Sequence, residues 1–95
     1  MHVSVCQIKL RLPENHSLKG KRQVIKSIIT RLQNKYKVSV AEVDNQDLWQ
    51  LATLGVACVS NNRRHSDEIL ANVVKFIVQN YPDVELLGSQ IETFP

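Results

Sequence analysis

Apolar and polar side chains alternate along the first dozen residues. Cys6, Ile8, Leu10 and Leu12 fall on one face, with Gln7, Lys9 and Arg11 on the other, the period of two expected of a half-buried strand from His2 to Leu12. Pro13-Glu14-Asn15 interrupts the alternation, and Ser17 is placed as the N-cap of a helix that runs to about Lys35. On a wheel of about 3.6 residues per turn, Leu18, Ile25, Ile28, Ile29 and Leu32 share one arc. Lys19, Arg22 and Lys26 form a stripe beside that arc, while Lys21 projects within it. Tyr36 to Val43 reads as a second strand with Val38 and Val40 inward, and Gln50 to Ser60 as a third with Ala52, Leu54, Val56 and Cys58 inward. Between them lies the polar turn DNQDLW, which ends in the only Trp. A second helix is predicted to begin between Asn61 and Ser66 and to end before Pro82, carrying Ile69, Leu70, Val73, Val74, Phe76 and Ile77. Val84 to about Thr93 is the last strand, after the turn signal Tyr81-Pro82-Asp83.

The order βαββαβ is the split βαβ arrangement of ferredoxin-like α+β folds. Right-handed crossovers then give an antiparallel sheet in the order 4-1-3-2 with both helices on one face, as one domain spanning residues 1–95. In this topology the end of the first strand, the start of the first helix, the turn between the second and third strands and the turn before the fourth emerge at one edge. The cation-rich segment Lys19 to Arg22 is therefore expected beside Glu42, Asp44 and Asp47. Such a neighbour would compensate cations placed where a helix already carries partial positive charge.

Composition adds limits rather than an activity. A chain of 95 residues with a formal charge of +3 permits an anionic partner without requiring one. No apolar run approaches the roughly 18 residues of a membrane span, and with no leader segment the expectation is a soluble, cytoplasmic protein. Cys6 and Cys58 are expected as reduced, buried thiols. His2, His16 and His65 are scattered without metal-ligand spacing, so neither metal nor cofactor is expected. The outward strand positions Val3, Val5, Ser39, Ala41, Thr53, Gly55, Ala57 and Val59 are small or apolar, and such a face suggests a homodimer.

The segments HSLKGKR (His16 to Arg22) and VSVAEVDNQDLWQLATLGVACVSN (Val38 to Asn61) resemble the small bacterial YlxP-like family, and the likeness extends over essentially the whole chain. The resemblance implies a ferredoxin-like α+β fold and a cytoplasmic bacterial protein. It implies no activity, because that family is described as of unknown function; its genes often neighbour those of transcription elongation and translation initiation factors. Gly20 departs from the acidic residue expected between the two lysines, which leaves the first helical turn more cationic and, by a fraction of ~1 kcal/mol, less helical.

Each candidate site has two readings. Lys19, Arg22 and Lys26, spaced i, i+3, i+7, suit contacts with successive phosphates, helped by Lys9 and Arg11, although basic stripes are common and the residues alone favour a solvated helix face. Lys21 could reach a ligand at the sheet edge, but the favoured reading is that it snorkels past the core or pairs with a carboxylate such as Asp44 or Asp47. His16 with Asp44 and Asp47 has the groups of an acid–base cluster, whereas DNQD also suits an Asx turn, the favoured reading. Trp49 is read as a core lid whose indole N–H caps a carbonyl in preference to a base-stacking platform. Asn61 to His65, at the opposite edge, suits a capping loop or an anion site. The balance favours a non-enzymatic RNA- or ribosome-associated binding factor, with a self-associating interaction module as the alternative. An acylphosphatase-like hydrolase fits less well, since PENHSLKGKR lacks a glycine-rich phosphate cradle. An RNA-recognition motif of standard type lacks its strand aromatics.

Overall fold

A computed structural model describes residues Met1–Pro95. The elements are β1 (His2–Arg11), α1 (Leu18–Tyr36), β2 (Ser39–Asp44), β3 (Leu51–Ser60), α2 (Arg63–Asn80) and β4 (Glu85–Phe94). The sheet order is β2-β3-β1-β4, the predicted order read from the other edge, and all three pairings are antiparallel. β1 and β3 are the central strands, in register from His2 opposite Ser60 to Arg11 opposite Leu51. Both helices pack on one side. Between them and the sheet lies a core of 17 residues, among them Ile8, Leu10, Ile28, Leu32, Leu54, Leu70 and Val73.

Local chemistry sets where the helices start and stop. The Ser17 hydroxyl accepts the Gly20 amide at 3.0 Å to cap α1, and a Cβ at position 20 would collide with the Asn15 carboxamide oxygen. Gly20 thus accounts for its own departure from an acidic residue: it admits Asn15 against the helix start. At the other end Lys37 takes the left-handed conformation (φ 56°) and returns its N–H to the Gln33 carbonyl, the usual means of satisfying a terminal carbonyl. Tyr36 therefore ends the helix rather than opening β2, and its ring meets that of Phe76 edge-on at 6.0 Å. α2 is capped by Asn62, whose side chain accepts from the His65 amide, so Asn61 and Asn62 form the capping turn and Arg63 to His65 the first turn of the helix.

Two bulges, between Glu42 and Asp44 in β2 and after Lys9 in the β1–β4 pairing, bend the sheet at the end where β1 stops and β3 starts. The first folds Asn45 (φ 63°) over the sheet, where its carboxamide oxygen accepts from the Thr53 hydroxyl at 2.8 Å. Thr53 is consequently buried, which removes it from the open face where alternation had put it. Ser4 and Ser66 are also buried. The Ser4 hydroxyl bonds that of Thr93, which donates to Asp67, tying β4 to α2.

Cys6 and Cys58 are free and buried on the helix side of the two central strands. Burial pushes the Cys6 thiol above its usual range, against a smaller lowering by a backbone hydrogen bond with Gln90. Because the folded protein favours the neutral thiol, this contribution to stability is present at neutral pH. It is lost as pH rises through the ordinary thiol range towards the raised value. Both cysteines are expected to react with a thiol reagent in the native protein far more slowly than after unfolding; rapid native labelling of both would contradict this packing.

Candidate nucleic-acid interface

From Asn15 to Ala41 the chain contains no Asp or Glu, yet it carries seven of the 12 basic residues: Lys19, Lys21, Arg22, Lys26, Arg31, Lys35 and Lys37. Lys37 is the C-cap residue of α1, and the fold sorts the other six into three groups. Arg31 and Lys35 face α2, where the Arg31 guanidinium lies 4.9 Å from the Phe76 ring centre and 5.3 Å from that of Tyr81, and the Lys35 ammonium 5.2 Å from Phe76. They seal the helix pair with aliphatic stems and cation–π contact.

Lys21 forms the second group alone. It is completely buried, in the middle of the apolar arc. Its ammonium donates to the carbonyls of Asn45 (2.6 Å) and Leu48 (2.7 Å), with that of Gln46 further off at 3.4 Å. Glu42 Oε2 stands 2.8 Å away as charge partner. That oxygen is buried and accepts no hydrogen bond, so the ammonium is what compensates its charge. The sequence places the acidic hairpin beside this helical turn, as observed, but the carboxylate is Glu42, not Asp44 or Asp47. The reason lies in β2 and the residue before it, where Val38, Val40 and Glu42 alternate onto the helix side, while the bulge turns Asp44 away to accept the Asn45 amide at 2.8 Å.

The third group is Lys19, Arg22 and Lys26. All three are exposed and none takes part in an ion pair; the four pairs of the molecule are Arg11–Glu85, Lys21–Glu42, Arg63–Asp67 and Arg64–Glu68. At about 100° per residue the three fall within an arc of about 60° and span about 10 Å of helix. Lys9 and Arg11 do not extend this stripe. Their strand turns Ile8 and Leu10 towards the helices, so Lys9 and Arg11 project from the opposite face of the sheet, and Arg11 is held at 3.1 Å by Glu85. Lys9 instead borders a shallow depression of about 340 Å³ on that open face, with Gln7, Asp44, Asn45 and Leu87.

No hydrogen bond or ion pair joins His16, Asp44 and Asp47. All are exposed, and Asp44 is occupied with the turn. Trp49 is also not a core lid. It is 55% exposed, and its indole N–H caps no carbonyl. What holds this corner together is hydrogen bonding to backbone carbonyls: Asn15 Nδ2 donates to the carbonyls of Ser17 (2.7 Å) and Trp49 (2.6 Å), Gln50 Nε2 to those of Pro13 and Asn15, and the Leu12 amide to Gln50 O. Asn15 thus joins the start of α1 to the end of the hairpin loop, a role its sequence position between Pro13 and Ser17 does not announce.

No helix is long and apolar enough to cross a membrane. Among solved structures, a de novo designed protein with ferredoxin fold, LFR1 1, aligns with a TM-score of 0.61 at 11% identity, over 99% of this chain and 84% of that one. The de novo designed protein Foldit4 aligns at 0.56 with 12% identity, over 100% and 98%. These likenesses show the ferredoxin-like fold alone. In sequence, the chain is 42% identical over 78 residues to "Uncharacterized protein YlxP" of Bacillus subtilis (strain 168), covering 82% of this chain and 84% of that protein. Residues 3–91 match the family described as "Protein of unknown function (DUF503)". With nearly its whole length matched in this way, the chain belongs to the DUF503 family, whose function is uncharacterised.

Proposed function

We propose that the protein is a non-enzymatic RNA- or ribosome-associated factor that docks on phosphates through the exposed face of α1. The observation that carries this reading is the segregation of charge. Along a helix of 19 residues the solvent side presents Lys19, Arg22 and Lys26 with no acid on the same element and no ion-pair partner from any other. An ordinary solvated face mixes signs and gains from i,i+4 pairs, as α2 does with Arg63–Asp67 and Arg64–Glu68. A face that forgoes such pairs keeps its cations free for counterion release on a polyanion. The test is the affinity for a single-stranded oligoribonucleotide over a salt series. Three neutralised phosphates give a slope of about −2 in log affinity against log salt, whereas no salt-dependent binding would remove the reading.

A second reading has its own observation, on the open sheet face. Val3, Val5, Ala57, Val59 and Phe94 lie together there, Phe94 and Val59 being 49% and 64% exposed. The face also carries Lys9 and Glu92, towards opposite ends of β1 and both without an ion-pair partner. A second copy placed by a two-fold axis near Gln7 would set Lys9 of each against Glu92 of the other, the self-complementarity an isologous dimer needs. Four strands of this length offer a face of roughly 600 Å², near the ~800 Å² per partner of a standard interface. Ala57→Asp is then expected to convert a dimer to a monomer in sedimentation. A protein already monomeric at high concentration would contradict the dimer.

A further inference from the structure

We propose that Trp49 is a stacking platform for an unpaired RNA base, placed at the head of the α1 stripe. The inference rests on the RNA-docking reading above and specifies its ligand as single-stranded RNA.

An exposed Trp on a loose loop would carry little meaning. Here the residue is 55% exposed and its neighbour Leu48 46% exposed, while the backbone that bears them is fixed from several sides. Leu48 O is held by the buried Lys21 ammonium, Trp49 O by Asn15 Nδ2, and Gln50 O by the Leu12 amide. Ordering this loop has therefore already been done in the free protein, which is the condition under which an exposed aromatic binds without a large entropic penalty. The indole pairs with no other ring and no cation, so both the π surface and the N–H are available.

Its position selects the occupant. The Asn15 carboxamide that holds Trp49 O also holds Ser17 O, and Ser17 caps the helix whose next residues are Leu18 and Lys19. The backbone that bears the exposed indole thus adjoins the start of the helix that carries the free cations, which matches a strand whose bases stack while its phosphates run along a basic groove or ridge. A duplex is excluded by the same geometry, because its bases are closed to a flat side chain. Asp47 is the one acid within the loop 45–50; the phosphate path therefore approaches from the α1 side.

Trp49 is the only Trp, so its fluorescence reports on this site alone. The protein is titrated with oligouridylate and oligoadenylate of about ten nucleotides, a length within the usual site sizes, and with a blunt RNA duplex. Quenching is expected with the single strands and not with the duplex. Trp49→Ala, read by polarisation of a labelled oligonucleotide, should bind about tenfold more weakly with an unchanged salt slope, and Trp49→Phe should recover most of the loss. Single-strand binding without quenching, together with wild-type affinity of Trp49→Ala, would overturn the stacking site and leave the α1 reading standing. Absence of any oligonucleotide binding at low salt would overturn both.

Discussion

Replacing Lys21 by Met is expected to cost about 3–5 kcal/mol of stability, the usual effect of removing one partner of a buried ion pair. Met retains most of the stem that fills the apolar arc, so the loss reports the charge and not a cavity. The variant leaves the buried Glu42 Oε2 without compensation and the carbonyls of Asn45 and Leu48 without a donor. Against a total of about 5–15 kcal/mol for a domain, this lowers Tm on the order of 20 °C for a chain of this length. Lys21→Met combined with Glu42→Gln should regain part of the loss, because the second change removes the orphaned charge. Chemical denaturation of the single and double variants checks both statements. A Lys21→Met protein within ~1 kcal/mol of the parent would show that the ammonium does not hold this hairpin.

The second large effect concerns binding. Lys19→Glu/Arg22→Glu/Lys26→Glu together move the formal charge from +3 to −3, since each reversal subtracts two. The parent should lose about 20-fold in RNA affinity between roughly 50 and 200 mM salt if three phosphates are neutralised. The triple variant should show a nearly flat salt dependence, on top of much weaker binding at the lower salt. Folding should survive, because the three side chains are exposed and acids near the start of a helix are favourable to its dipole. Unfolding midpoints of the two proteins provide the control.

The fold was legible because two periodicities alternate cleanly. Cys6, Ile8 and Leu10 keep a strict period of two, and Ile25, Ile28 and Leu32 a helical one, so crossover handedness left few topologies. Lys21 was visible as a misfit in an apolar arc. Its true partner was also within reach of the pattern, since Val38, Val40 and Glu42 share a face; Asp44 would share it too but for a bulge, which alternation cannot foresee. The alternation of β1 itself sends Lys9 and Arg11 to the face away from the helices, which separates them from the α1 stripe. The exposure of Trp49 is not legible in the sequence. Hydrophobicity argues for burying an indole, and nothing local to QDLWQ reveals that Lys21, Asn15 and Gln50 would fix the backbone while leaving the ring in solvent.

The claim that α1 docks on RNA is tested most directly by sedimenting the parent and the triple Glu variant with ribosomal particles from the protein's own cell. At low salt the parent is expected in the particle fraction, released as salt is raised, while the folded variant remains in the supernatant. If both proteins sediment alike, or neither does, the basic face of α1 is a solvated surface and the proposed function is wrong.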